Sequence, residues 1–310
     1  MSSSASHAVL IVNPKSGGGK AQRNDLVTEC GRRGIEPLVL GNGDDLSALA
    51  ASAVAAGAEI IGMAGGDGSQ AVVASVASDH DVGYVCVPAG TRNHFALDLG
   101  VDRNDVVGSL DAFSEGTERR IDLARVNGRL FVNNACLGLY AKIVQSPEYR
   151  DAKAKTVTEM LPELLGPRAE PFDLRFTGPD GTHYPTAHLL LVSNNPYHVR
   201  RLGARGTRGS IDQGTLGVIA ARLERPTELA RFQALDAVGK IDRFHGWLEW
   251  STPTFTIDSG ATVDIALDGE ASKIDPPLRF EIVPSALRVR LPRRRAAPRL
   301  WRRFRHATKS

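Results

Sequence analysis

Ile60-Ile-Gly-Met-Ala-Gly65-Gly-Asp-Gly68-Ser-Gln-Ala-Val-Val-Ala74 decides how this chain is read. Ile60 to Ala64 is a short apolar run that suits a buried parallel strand, and the residues from Gln70 onward suit a helix. Between them stand Gly65, Gly66 and Gly68, with one carboxylate, Asp67. Glycine puts no Cβ in the way where a strand stops and a helix restarts, so unpaired backbone N–H groups face one point, a natural seat for phosphate. Asp67 beside bound phosphate is repelled unless it holds a metal ion or a proton in transit. A plain strand-to-helix turn is the bland alternative, but such turns seldom need this many glycines with a Ser69 following. The stretch Gly66 to Ala71 also satisfies the dinucleotide fingerprint G-x-G-x-x-A, which calls for an acidic residue at the end of the next strand. That strand, Gly83 to Val87, ends in Pro88-Ala-Gly90, and a dehydrogenase-type fold is disfavoured.

Working outward, Ala8 to Val12 predicts the first parallel strand, which empties into Asn13-Pro-Lys-Ser-Gly-Gly-Gly-Lys20. This loop departs from the Walker form, since Pro14 stands where Gly is needed and Ala21 where Ser or Thr is needed. Ala21 to Arg33 predicts a helix closed by Gly34, Glu36 to Leu40 a strand, and Asp45 to Ala56 a helix closed by Gly57. Beyond the central stretch, strand Gly83 to Val87 runs into Pro88-Ala-Gly-Thr-Arg-Asn-His-Phe-Ala-Leu-Asp-Leu-Gly100, a third transition of the same kind. Alternating strands and helices predict a parallel sheet whose ligands gather at the carboxyl ends of the strands. The loops Asn13 to Lys20, Gly65 to Ser69 and Gly90 to Asn93 therefore converge on one crevice.

The period changes after a predicted helix from Asp105 to Ser114. Glu118 to Val126, Asn127-Gly128 and Arg129 to Asn134 have the form of a hairpin closed by an Asn-Gly turn. Similar signals recur at Pro179-Asp-Gly181, around Ser259-Gly260 and in Leu278 to Pro292. The chain thus divides near Arg119 into an α/β parallel-sheet domain (1–118), a mainly antiparallel β-sandwich domain (119–292) and a tail (293–310). Ser146 to Leu165 reads as an inserted helix packed as a lid over the second sheet.

A chain of 310 residues with 42% hydrophobic content can bury a full core. The net charge of +3 conceals an asymmetry: from Arg288 to Ser310 there are ten Lys or Arg and no Asp or Glu, while the body is acidic. Cys30, Cys86 and Cys136 are widely spaced in apolar settings and read as reduced core residues. Met1-Ser-Ser-Ser-Ala-Ser6 lacks the pattern of a signal peptide, and no stretch has the ~18 to 20 apolar residues of a membrane span. The expected location is cytoplasmic, with any membrane contact peripheral. The histidines show no metal-ligand spacing.

With Asn13-Pro-x-Ser-Gly17, Gly65-Gly-Asp-Gly-Ser69 and Pro88-x-Gly-Thr-x-Asn93 in this order, the chain resembles the diacylglycerol kinase catalytic-domain family. Leu267-Asp-Gly-Glu270 stands where that family carries its Asp-Gly-Glu motif. The resemblance implies a first domain of the phosphofructokinase and NAD kinase kind, and ATP-dependent phosphorylation of a lipid hydroxyl with Mg2+. It implies that Asn13, Ser16, Gly17, Gly65, Gly66, Asp67, Gly68, Ser69, Gly90, Thr91 and Asn93 surround the nucleotide, with Glu270 near the nucleotide or metal. Asp268 becomes the general base and Asp67 its counterpart across an interdomain cleft, with their roles open to exchange. Phosphoryl transfer needs such a division: donors around the phosphates, a cation, and one carboxylate near the nucleophile. The bland reading of Asp268-Gly269 is a hairpin turn.

Three departures from the family pattern stand out. Ser69 replaces a Thr; His94 and Leu97 replace an acid and a base; and the segment linked to a structural Mg2+ reads Asp212-Gln-Gly-Thr-Leu-Gly217, keeping Asp212 and the Leu216 carbonyl but not the second carboxylate. The tail mixes cations with Leu300, Trp301 and Phe304, which suits docking on an anionic membrane surface. No RNA-binding signature accompanies it, so no nucleic acid is expected, and a homodimer is allowed. A kinase of a soluble acceptor and a silent lipid-binding module remain as rival readings.

Overall fold

The computed structural model describes residues 7–145, 172–201, 207–223 and 225–293. The inserted helix expected from Ser146 to Leu165 and the tail beyond Arg293 lie outside them. The first strands are β1 (Ala8–Val12), β2 (Glu36–Val39), β3 (Ile60–Gly65) and β4 (Gly83–Pro88). β1, β3 and β4 are buried along their whole length and pair in parallel, as continuous apolar runs require. Between them lie α1 (Lys20–Arg23), α2 (Leu26–Arg32), α3 (Leu46–Ala55) and α4 (Asp67–Asp79). The single helix expected from Ala21 to Arg33 is two pieces, because Asp25 adopts a left-handed conformation with φ 47° between them. α3 begins as expected: Asp45 accepts hydrogen bonds from the Ser47 and Ala48 N–H groups. α4 begins earlier than its composition suggests, at Asp67 rather than Gln70, with extended Gly66 as its cap.

After β4 come α5 (His94–Asp98) and α6 (Ala112–Glu115); the expected helix from Asp105 is only a 3-10 turn at Gly108–Asp111 running into α6. The chain then turns to antiparallel strands: β5 (Thr117–Val126), β6 (Arg129–Phe131) and β7 (Asn134–Gly138). Asn127 and Gly128 both have positive φ, 48° and 80°, as a tight hairpin turn demands. α7 (Leu139–Gln145) follows, then β8 (Phe176–Thr177) and β9 (His183–Tyr184), β10 (Leu189–Asn194), β11 (Tyr197–His198), β12 (Thr207–Arg208) and β13 (Leu216–Ala221). α8 (Leu229–Ala237) leads to β14 (Trp247–Thr252), β15 (Thr254–Ile257), β16 (Val263–Leu267), β17 (Glu270–Ile274) and β18 (Leu278–Leu291).

Two sheets result. One runs β2-β1-β3-β4-β18-β5-β6 with β15 also on β18, and the other is the antiparallel β14-β13-β10-β7-β16-β17. The first buries one face under α3 and α4, with Val73, Ala74 and Phe95, and the other under α1 and α2, with Leu26 and Phe113. The second sheet packs against the antiparallel part of the first around Phe131, Leu190, Phe255 and Phe280. Its outer face is covered by α7 and α8.

Two hairpin expectations give way here. Ser259-Gly260 joins β15 in one sheet to β16 in the other, so it is a crossing between layers. Leu278 to Leu291 is one continuous strand, broken only by an irregularity between Val283 and Leu287 where Ser285 has φ 52°. Buried Asp122 fixes that bulge, accepting from the Ser285 N–H (2.8 Å) and the Gly214 N–H (2.6 Å). Among the described residues, no helix is long and apolar enough to cross a membrane.

Gln70, fully buried, ties the carboxyl ends of β3 and β4. Its Nε2 donates toward the carbonyls of Met63 (3.0 Å), Val87 (3.1 Å) and Gly65 (3.3 Å), while the Tyr84 hydroxyl donates to its Oε1. Replacing Gln70 with Leu strands these carbonyls in a dry interior. The expected loss of stability is about 1–3 kcal/mol, read as a lower urea midpoint; an unchanged midpoint would show that the strand ends hold without it.

Candidate active site

The three glycine loops meet as expected, and backbone packing brings them together. Asn13 donates its N–H to the Ala64 carbonyl (3.0 Å), which hitches the first loop to the end of β3, and its side chain accepts from the Lys15 N–H (3.0 Å). Gly17, at φ 56°, lies so close to the third loop that a Cβ would collide with the Ala89 carbonyl. Gly66 and Gly90 touch through their main chains: a Cβ on Gly90 would collide with the Gly66 Cα and come within 2.9 Å of its nitrogen. Lys20 fastens the first loop to the third, donating to the Pro88 (2.9 Å) and Arg103 (2.6 Å) carbonyls. Burial, aided by Arg103, lowers its pKa.

Asn93 holds the third loop together from within. It is buried, with φ 54°, and its side chain accepts from the Gly90 N–H (2.9 Å) and donates to the Gly90 (2.9 Å) and Pro88 (3.2 Å) carbonyls. Gly17, Gly65, Gly90 and Asn93 thus shape the loops that carry the cleft. Asn13, Ser16, Gly66, Gly68, Ser69 and Thr91 line it, facing Glu270 and Asp268 from the second domain. Glu270 lies directly over the first turn of α4: a Cβ on Gly68 would collide with its carboxylate.

Both acids are held by backbone N–H groups. Asp67 accepts from Phe95 (2.9 Å) and His94 (3.1 Å) at the start of α5. Asp268 sits in the β16–β17 turn at φ 50°, and Gly269 follows at 86°, so the hairpin reading and the functional one are the same object. The Asp268 carboxylate turns inward, accepting from Asn133 (2.7 Å), Val132 (2.9 Å) and Asn134 (3.1 Å). Burial nevertheless pushes its pKa up to about 7, with Asp67 adding to the rise and the three N–H donors opposing it. A carboxyl poised there is matched to accepting a proton at neutral pH.

A second, narrower pocket opens on the other side of Asp268. Its walls are Leu189, Leu191, Val199 and Ile219 with Tyr197 and Trp247, and it encloses about 790 Å³, open mouth included. The glycine-loop cleft measures about 1520 Å³ on the same basis. The two share Asp67, Arg92, Asp268 and Gly269. Arg92, the unspecified position in Pro88-x-Gly-Thr-x-Asn93, was not singled out by motif, yet it lies beside Gly269 at the junction. His94 lines the apolar pocket, so the departure from the family pattern falls on the pocket's own wall.

The segment expected to hold a structural metal is arranged otherwise. Asp212 accepts from Ser210 and pairs with Arg119 at 2.7 Å, and these contacts lower its pKa. Both oxygens of the Asp212 carboxylate are thus already engaged, by Arg119 and Ser210, and Leu216 is the first residue of β13. These residues do not fit a bound metal ion.

Glycine loops at the ends of the parallel strands thus face a carboxylate turn on the antiparallel sheet, with an apolar pocket behind. Residues 7–126 match the model described as the diacylglycerol kinase catalytic domain. It is 26% identical to the "Probable lipid kinase YegS-like" of Pseudomonas aeruginosa over 308 residues, covering 92% of this chain and 94% of that one. It is 28% identical to the "Diacylglycerol kinase" of Mycobacterium tuberculosis over 194 residues, 59% of this chain and 62% of that one. The crystal structure of a diacylglycerol kinase from Bacillus anthracis superposes with a TM-score of 0.64 at 20% identity, over 92% of this chain and 96% of that one, which bears on the fold.

Two outcomes are expected at this site. Catalysis by Asp268 requires its ionised form, so kcat should fall as pH drops through about 7; a profile flat down to pH ~5 would remove Asp268 from that role. Gly90→Ala forces two backbones apart, and should lower kcat/KM about 10²-fold, measured beside circular dichroism to confirm that the variant folds.

Proposed function

We propose that the protein is an ATP-dependent lipid kinase that transfers the γ-phosphoryl group to a lipid hydroxyl. The observation that supports this most is the junction of the two cavities. One is polar and roofed by glycine-loop backbone; the other is apolar; and both open onto Asp67, Arg92 and Asp268. In this reading the nucleotide phosphates lie against the first turn of α4, with Ser16, Ser69 and Thr91 offering hydroxyl donors. The acyl portion of the acceptor lies along Leu189, Leu191 and Ile219, presenting its hydroxyl to Asp268. Asp268 takes the proton as the acceptor oxygen bonds to the γ-phosphorus and the bond to the bridging oxygen breaks, releasing ADP. Asp67 organises the third loop and faces the phosphates.

A Mg2+ ion carried with the nucleotide fits the donor set, since Mg2+ is commonly held by one or two carboxylates together with phosphates. Asp67 and Glu270 are the carboxylates on the glycine-loop side of the cleft. When bound, the ion would neutralise charge on the phosphates. The tail's cations and aromatics would hold the cleft against an anionic membrane surface, and deleting residues 292–310 should weaken binding to anionic vesicles.

The test is transfer of label from ATP, with Mg2+, to mixed lipid vesicles, beside Asp268→Asn. Label should enter the organic phase and fall about 10²- to 10⁴-fold in the variant, the usual contribution of a general base. Label found only on a water-soluble acceptor would replace the lipid reading with a soluble-acceptor kinase.

A further inference from the structure

One buried cation has no place in the chemistry above. Arg208, in β12, has a side chain with 0% exposure, and its ion-pair partner Asp98, at the carboxyl end of α5, has 7%. Every arm of the guanidinium is engaged. Nε donates to Asp98 Oδ2 (3.0 Å), as does Nη2; Nη1 donates to the carbonyls of Asn194 (2.7 Å) and Val132 (2.9 Å); and Nη2 also reaches Asn133 Oδ1 (3.0 Å). Asn194 adds a second donor to the Val132 carbonyl from its own side chain (3.1 Å).

The two segments that Arg208 joins are the two that hold the acids. Val132 to Asn134 carries the N–H groups that bind the Asp268 carboxylate. α5, which ends at Asp98, begins with the N–H groups that bind Asp67. A path of contacts therefore runs from Asp67 through α5 to Asp98, across the ion pair to Arg208, and through Val132 and Asn133 to Asp268. Apolar residues of like volume could fill this space at no loss of stability, but they would not fix direction. A planar fork with several donors does, and an ammonium does not.

We propose that Arg208 is a positioning residue that sets Asp268 against the Asp67 loop, and so fixes the spacing across which the phosphoryl group moves. The inference rests on the kinase reading, because there both acids serve one reaction. Arg208 touches neither acid; it acts by holding the main chain that donates to Asp268. Arg208→Lys keeps the charge facing Asp98 but cannot reach all of the remaining acceptors together.

The experiment uses the full chain and two readouts. In Arg208→Lys, amide hydrogen exchange at Val132, Asn133 and Asn134 should rise at least tenfold while amides in the core of α4 keep their protection. In the lipid kinase assay, kcat should fall about 10- to 100-fold with the KM for ATP within twofold of the parent. A second variant, Asp98→Leu with Arg208→Met, removes both charges together and preserves volume. It should show the same local rise in exchange with a melting temperature close to the parent's. Unchanged exchange at the three amides, or unchanged kcat in an active parent, would overturn the inference, as would a fall in kcat matched by equal loss of ATP binding, which marks plain unfolding. If the parent transfers no label to lipid but the three amides still loosen, the lipid-kinase reading fails while the hold of Arg208 on the main chain that binds Asp268 stands.

Discussion

The close approach of Gly66 and Gly90 is the constraint on which the cleft depends. Main chain meets main chain there, and the loops after β3 and β4 can share one surface only because residue 90 carries no side chain: a Cβ on Gly90 would collide with the Gly66 backbone, whereas one on Gly66 would make ordinary contact. From that contact follow the placement of α4 with its first turn open to the cleft, the tight third loop locked by Asn93, and the delivery of α5 to Asp67. The glycines of this region fall into two groups by what they permit. Some let backbone approach backbone, while Gly68 leaves room for a carboxylate from the other domain.

The two acids show how one chemical group can be given different surroundings by similar means. Each accepts hydrogen bonds from successive backbone N–H groups. For Asp268, burial and the neighbouring acid outweigh three donors and leave its proton labile near neutrality. A group that must take up and release a proton in each turnover gains from that balance.

Much of this was legible from sequence because the signals are local. Ala8 to Val12 and Ile60 to Gly65 are strands since nothing polar interrupts them, and Asn127-Gly128 and Asp268-Gly269 turn because their φ angles demand such residues. What escaped was held by partners far along the chain. Lys20 reaches carbonyls 68 and 83 residues away, and Arg208 binds an acid 110 residues away; neither position carries a motif. α4 began early because Gly66 caps it without side-chain chemistry that composition would reveal. Turn residues at Ser259-Gly260 announced a change of direction but not a change of sheet, and Pro284-Ser285 imitated a turn where a continuous strand bulges.

β18 pairs in parallel with β4 and antiparallel with both β5 and β15. The strand completing the sheet beneath the glycine loops is therefore the last of the described strands to be made. During synthesis, β4 emerges with a bare hydrogen-bonding edge that stays open until some two hundred further residues have followed it. The family-matched segment ends at residue 126, at the close of β5, and so lacks the strand that joins β4 to β5. Such distant pairing is slow to form and leaves an edge on which chains can join wrongly. The parallel-sheet half is thus contiguous as a sequence pattern but not as a folding unit, and its sheet closes only once β18 has been made.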